Sequence, residues 1–357
     1  MMVMVFHFLG HHGEPARLIR ASMIGQTGVD LFFVLSGFLI TRILLSAKES
    51  PHFFRSFYAR RTLRIFPLYF GFLAIYFFLV RPLFGEPIPS FASQRWSWFY
   101  LQNLPATFSS LQSSGPDHFW SLAVEEHFYV IWPLMVFILS RRNFALLVVA
   151  TLLFPPVLRS IFLSHGINVL YFTFTRADAL GYGALLAVAL TGKSWSAIRR
   201  IHFFRWLSIA LAVLLLPAFV FLSGNGFQWL QVIKGSLIPA FYVAVIGFCL
   251  SDLRAWPLTK IFSIRWLRWL GAISYGLYVF HPTCFGLVQR FVRPSSFVLD
   301  LTLSFGFTIL VSYLSFRFFE SPILRLKNRF GYEMKRAQNI AQPGRDRLIS
   351  PLHDLGA

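Results

Sequence analysis

TGVDLFFVLSGFLITRILLS (27–46) carries two charges, Asp30 and Arg42, and is otherwise built mostly from Phe, Leu, Ile and Val. As a helix it would be about 30 Å long at 1.5 Å per residue, the thickness of a bilayer's hydrocarbon core. It lacks the strict apolar–polar alternation of a barrel strand. The stretch therefore predicts a membrane-crossing helix, and comparable runs recur along the chain. They are a short one from Met1 to about Leu9, then Leu63–Arg81, Phe119–Leu139, Asn143–Leu163, Leu170–Leu190, Phe204–Leu222, Gln231–Leu250, Leu270–Arg290 and Phe297–Phe318. The expected fold is an all-α integral membrane protein, a polytopic bundle of about ten transmembrane helices, the first truncated at its N-terminus.

Composition points the same way. Of 357 residues, 56% are hydrophobic and 13% charged, and mean hydropathy is +0.61. Soluble domains hold about 45–50% and about 25%. So little charge cannot cover a water-facing surface, which excludes a soluble enzyme, a disordered chain and a small disulfide scaffold. Cys249 and Cys284 lie inside apolar runs and read as small buried residues rather than a bridge.

The net charge of +19 would suggest nucleic acid in a soluble chain, but its placement between apolar runs makes it a topology signal. With residue 1 toward the cytoplasm, segments 47–62, 140–142, 191–203, 251–269 and the tail from 319 hold 20 Lys and Arg. Segments 10–26, 82–118, 164–169, 223–230 and 291–296, on the other side, hold 4. Both termini are thus expected in the cytoplasm. Residues 1–322 read as the membrane domain and 323–357 as a basic cytoplasmic tail. Trp96, Trp98 and Tyr100 in the outer segment 82–118 read as an interfacial aromatic belt, or alternatively as a sugar-contacting surface.

A charge at mid-bilayer costs at least about 2.5–3.5 kcal/mol on insertion scales, so each intramembrane polar residue calls for a reason. His7 ends the first segment and Asp30 begins the second, so both lie toward the outer leaflet. A carboxylate that orients an imidazole makes it a general base; the plainer reading is two interfacial residues, with Asp30 capping its helix and His11 and His12 solvated nearby. Arg60, Arg61 and Arg64 share a helical face where the third segment begins. Guanidinium groups clamp phosphates, which suits a phosphorylated cytoplasmic donor, although topology control and headgroup binding explain them too. Glu125 and Glu126 are neighbours and point about 100° apart, so one site cannot use both. Arg176 and Asp178 open the sixth segment and would neutralise each other or pair across helices. Ser274, Tyr278 and His281 form one stripe of the ninth, and Pro282 marks a kink.

Together, GVDLFFVLSGFLI (28–40), RRTLRIFPLY (60–69), HFWSLAVEEHFY (118–129), ISYGLYVFHP (273–282) and Glu320-Ser321-Pro322 resemble the membrane-bound acyltransferase family 3, in order and over nearly the whole chain. The resemblance implies transfer of an acyl group, often acetyl, from cytoplasmic acyl-CoA to a hydroxyl of an envelope polysaccharide, a lipid-linked sugar or a similar acceptor, in a bacterial inner membrane. It implies no metal and no nucleic acid. By position it makes His7 the catalytic base with Asp30 beside it, and Arg61 and Arg64 the donor-binding pair. Glu125, Tyr275, Tyr278 and His281 match family motif positions that would shape the site or bind the acceptor, and Arg176 and Asp178 join them as candidate site-shaping residues. Two departures stand out. The family's Arg eleven positions before the catalytic His would precede Met1, which implies a start assigned too late or a truncated copy. His127 stands where the family usually has Gln.

In the mechanism so implied, the CoA phosphates rest on Arg61 and Arg64, the thin pantetheine arm threads the bundle, and His7 deprotonates the acceptor hydroxyl. The rivals are a transporter or flippase whose path the same charges would line, and an inactive truncated homologue.

Overall fold

A computed structural model describes residues 1–11, 24–191, 196–220, 228–251, 260 and 263–331. The expected placement of His12 and most of the basic tail lie outside them. Among the described residues there are helices and turns but no strands. In chain order we label α1 Met2–His11, α2 Gly28–Ala47, α3 Phe53–Ile75, α4 Phe91–Trp98, α5 Asn103–Thr107, α6 Trp120–Ile138, α7 Arg141–Ser164, α8 Ala177–Thr191, α9 Ala197–Val220, α10 Gln228–Ser251, α11 Arg265–Ala272, α12 Ser274–Leu287 and α13 Phe297–Ser315. Six described helices are long and apolar enough to cross a membrane: Ile24–Ala47, Phe53–Leu83, Asp117–Ile138, Arg141–Ser164, Trp229–Ser251 and Phe297–Phe330. Their outward residues include Phe78, Leu79, Val130, Leu153, Val157 and Phe318, all large, apolar and exposed. Only lipid makes such a surface favourable, so the chain is an integral membrane protein.

The helices form two compact units. One comprises Met1–Ile43 and Pro89–Ile264, the other Leu44–Ile88 and the described residues from Arg265 on.

Small residues set the first unit. A Cβ on Gly37 would lie 2.0 Å from the Leu180 carbonyl oxygen, and one on Gly183 would lie 2.1 Å from that of Val34. Helices α2 and α8 therefore cross in backbone contact, which lipid-embedded helices achieve with glycine because packing, not water exclusion, holds them. Val34 and Phe38 continue this contact into a core with Leu186, Phe204, Val243 and Phe248. Helix α6 is pinned to α2 by polar ties, the Trp132 indole donating to Thr41 Oγ1 at 2.8 Å and Ser36 Oγ to Glu125 Oε1.

In the second unit α12 packs on α13 along a groove of small residues, with Gly276 against Ser312, and Ser304, Thr308 and Ser312 recur every fourth residue, all fully buried. Three helices there continue through π turns, Tyr76–Val80, Val288–Val292 and Phe316–Glu320.

Several boundaries differ from the sequence reading. Helix α3 begins at Phe53, so Arg60, Arg61 and Arg64 lie inside it rather than at its entry. The sixth segment starts at Ala177 instead of Leu170, because residues 165–176 fold as an irregular loop ending in a 3₁₀ turn, Thr173–Thr175. Segment 82–118 holds two short helices, with Tyr100 buried and Trp98 Nε1 bonded to Gln94 Oε1 at 3.1 Å. Trp96 Nε1 donates to the Gln112 carbonyl at 3.0 Å.

Candidate functional site

In the first unit the polar residues of three separate segments converge. Met2 and Phe6 of α1 abut Gly25, and Met2 and Val3 abut Gly28, so α1 runs past the start of α2 in the opposite direction. Half-buried His7 follows Phe6 on α1. Its ring lies 6.4 Å, centre to centre, from that of His118, edge to face. His118 is buried in the 3₁₀ turn Asp117–Phe119 and packs on Phe119 at 4.7 Å. That turn feeds directly into α6, so the HFW sequence at 118–120 delivers its side chains to fixed places.

Trp120, two residues on, is one wall of a charged site. The Arg176 guanidinium sits 6.0 Å from the Trp120 ring centre and 5.9 Å from that of Phe33, while Phe33 and Trp120 meet edge to face at 6.0 Å. Tyr171 closes on Trp120 at 5.1 Å. Between these rings Arg176 Nη2 donates to Asp30 Oδ1 at 2.5 Å, and both side chains are nearly inaccessible. Asp30 therefore has Arg176 as its charged partner. Since a carboxylate can accept several bonds, this pairing fixes where Asp30 points without exhausting it.

Asp178 does not pair with Arg176. Its Oδ2 accepts from Arg159 Nη2 at 2.7 Å and from Ser236 Oγ at 2.8 Å, and its Oδ1 accepts from the Ala179 amide at 3.0 Å. Arg159 completes its contacts with the Thr175 carbonyl at 2.7 Å and Ser236 Oγ at 2.6 Å. The pair is as buried as any in the protein, with 1% of each side chain exposed. A Cβ at position 235 would approach the Arg159 guanidinium to 2.8 Å, so Gly235 makes its seat. Arg159 and Ser236 were not anticipated from the sequence. The signal for Arg159 was present: a lone charge inside the apolar run Asn143–Leu163 demands a counter-charge.

Deeper along α6, Glu125 is 3% exposed and accepts from Ser36 Oγ, while Tyr129 OH reaches the same hydroxyl at 3.5 Å. Glu126 is only partly buried, as expected for a side chain turned about 100° away. His127 Nδ1 lies 2.7 Å from Thr173 Oγ1, which accepts from Asn103 Nδ2 at 2.9 Å.

The second unit holds the remaining predicted residues. His281 is fully buried, with Nδ1 2.8 Å from the Tyr278 carbonyl and 3.1 Å from that of Leu277. Pro282 has no N–H to give Tyr278 four residues back, and His281 supplies the missing donor. A carbonyl only accepts, so Nδ1 carries a proton. Tyr275 OH donates to the Ile65 carbonyl at 3.1 Å and ties α12 to α3. Buried Asp300, also unanticipated, accepts from Gln289 Nε2 and from Ser304 Oγ at 2.9 Å. Arg61 lies 6.0 Å from the Phe57 ring centre, and Arg64 acts electrostatically on Glu320, which also accepts from Ser315 Oγ at 3.2 Å.

The first unit of this integral membrane protein thus holds a histidine pair, His7 on α1 and His118 just before α6, and two closed, buried ion pairs. The chain belongs to the acyltransferase-3 family, whose model, an acyltransferase domain, matches residues 1–317. Among curated proteins it is 33% identical to the peptidoglycan O-acetyltransferase OatA of Listeria monocytogenes, the match covering 84% of this chain and 51% of that one. It is 32% identical to the putative peptidoglycan O-acetyltransferase YrhL of Bacillus subtilis, over 84% and 50%. It is 27% identical to the O-acetyltransferase OatA of Staphylococcus aureus, over 84% and 52%. The chain thus spans about half the length of these relatives. No solved structure matches it.

Proposed function

We propose that the protein moves an acyl group, acetyl foremost, from cytoplasmic acyl-CoA to a hydroxyl of peptidoglycan or a similar envelope glycan in a bacterial inner membrane. In this reading the bundle has about ten crossing segments with both termini cytoplasmic, which the Lys and Arg asymmetry supports. The observation that carries it is the position of His7: a half-buried imidazole within α1, edge to face with His118, which stands two residues before the Trp120 that packs on Arg176, in a chain of an acyltransferase family.

His7 takes the acceptor hydroxyl's proton as that oxygen attacks the thioester carbonyl. The C–S bond then breaks, CoA leaves as thiolate, and the proton on His7 returns to the sulfur. The oxygen–acyl bond formed replaces the sulfur–acyl bond lost, and no charge is left behind. Asp30, locked by Arg176, presents with it a fixed dipole, the preorganised environment this reading assigns to the imidazolium of the transition state. Arg61 and Arg64 hold the donor phosphates as guanidinium clamps; Glu125 in the first unit, and Tyr275, Tyr278 and His281 in the second, are the site-shaping residues of this reading.

The test is transfer of radiolabel from acetyl-CoA into peptidoglycan and envelope glycans by membranes holding the intact chain or His7→Ala at matched expression. Labelling that needs the chain and falls at least about 100-fold in the variant is expected for a general base. Equal labelling in both would remove His7 from this role.

A further inference from the structure

Beyond the residues matched by the family model, the last described helical turns fold back onto α3. Ser56 Oγ donates to the Gly331 carbonyl at 3.1 Å and Arg60 Nη1 to that of Phe330 at 3.4 Å, while the Arg55 guanidinium lies 5.7 Å from the Phe330 ring centre. These contacts dock the 3₁₀ turn Leu326–Phe330 on the helix that carries the arginines. The docking brings half-buried Lys327 within electrostatic range of Arg60, Arg61 and Arg64 together. Glu320 interacts electrostatically with Arg64 of this group. Among the described residues Lys327 itself enters no ion pair. Three guanidinium groups and an amine drawn together by backbone and ring contacts disfavour one another's charge, and a bound polyanion turns that into attraction.

We propose that Lys327 joins Arg60, Arg61 and Arg64 in one polyphosphate site, and that it binds the phosphates of the CoA donor. The proposal rests on the acyl-CoA reading above and adds a ligand that the Arg61–Arg64 pair does not include. The same chemistry would recognise the phosphates of anionic lipid headgroups, so the test must separate the two sources.

The probes are CoA, pantetheine and lipid vesicles, applied to the full chain purified in detergent. Calorimetry of Lys327→Met, Lys327→Arg and Arg64→Met, each checked for an unchanged melting midpoint, reads the binding. Expected are a roughly tenfold weaker affinity for CoA in Lys327→Met, recovery in Lys327→Arg, and no change for pantetheine, which has no phosphate. In turnover, KM for acetyl-CoA should rise about as much while kcat stays nearly constant, because a phosphate grip is equal in ground and transition states. If Arg64→Met loses CoA and Lys327→Met does not, the Lys327 assignment is overturned and the donor reading stands. If neither variant changes CoA binding, but both lose a preference for phosphatidylglycerol over phosphatidylcholine vesicles, the site serves lipid headgroups and both readings fall. An equal loss of pantetheine binding in Lys327→Met would show general damage and also overturn the proposal.

Discussion

Arg159 and Asp178 offer the most exacting test of how this bundle tolerates charge. Each side chain is 1% exposed, and the two meet at 2.7 Å between α7 and α8. Removing one partner leaves the other charge buried without compensation, a loss of about 3–5 kcal/mol. That is roughly two to four orders of magnitude in the unfolding constant. The two halves are not equivalent. In Arg159→Met, the carboxylate keeps Ser236 Oγ and the Ala179 amide as donors and can shed its charge by taking a proton. In Asp178→Asn, the guanidinium keeps the Thr175 carbonyl and Ser236 Oγ, but it cannot deprotonate. Asp178→Asn is therefore expected to be the more damaging, and the double variant should be less damaged than the sum of the singles by at least about 2 kcal/mol. Detergent-denaturant titration of the purified protein, followed by tryptophan fluorescence, gives the three free energies. Singles within about 1 kcal/mol of the parent, or an additive double, would refute the account of a buried, mutually dependent pair.

Two shorter predictions follow from the same geometry. Gly183→Ala or Gly37→Ala places a methyl about 2 Å from a backbone oxygen of the crossing helix, so each should exceed the 1–3 kcal/mol typical of overpacking and abolish the monodisperse peak on size-exclusion chromatography. His118→Ala should lower turnover about tenfold, the equivalent of one hydrogen bond of about 1.4 kcal/mol, while leaving the affinity for CoA unchanged. Unaltered turnover would separate His118 from the chemistry of His7.

The membrane class was legible because it depends on summed composition and run length, quantities that each residue reports independently. The paired ions were legible only by halves. Asp30, Arg176 and Asp178 each announced a need for compensation, but which cation meets which carboxylate depends on how three helices cross, and crossing is set by Gly37 and Gly183, whose role shows only when two backbones touch. His118 and His7 stand 111 residues apart, and no periodicity links them. His281 shows the opposite limit. Its place in a polar stripe before Pro282 was legible, but that its Nδ1 donates into the backbone gap Pro282 opens shows only once the helix is formed.

In the first unit, Arg176 and Arg159 each meet a carboxylate at 2.5–2.7 Å inside a shell of rings, serines and backbone carbonyls. A closed pair has little attraction left for a charged ligand, but it gives a fixed dipole, and fixed dipoles stabilise a proton in transit without reorganising. A neutral hydroxyl acceptor suits such a place. In the second, Arg60, Arg61 and Arg64 inside α3 act electrostatically on Lys327 of the turn docked against them, and Glu320 acts on Arg64. Crowded like charges attract polyanions and exclude cations. An acyl-CoA thioester is a polyanion with a neutral reactive end. Under the proposed reading, one set of residues would grip the phosphates and another would move the proton, matching both halves of that donor; exchanging the two chemistries would fail, because phosphates would find closed ion pairs and a proton on His7 would be repelled by the cationic cluster.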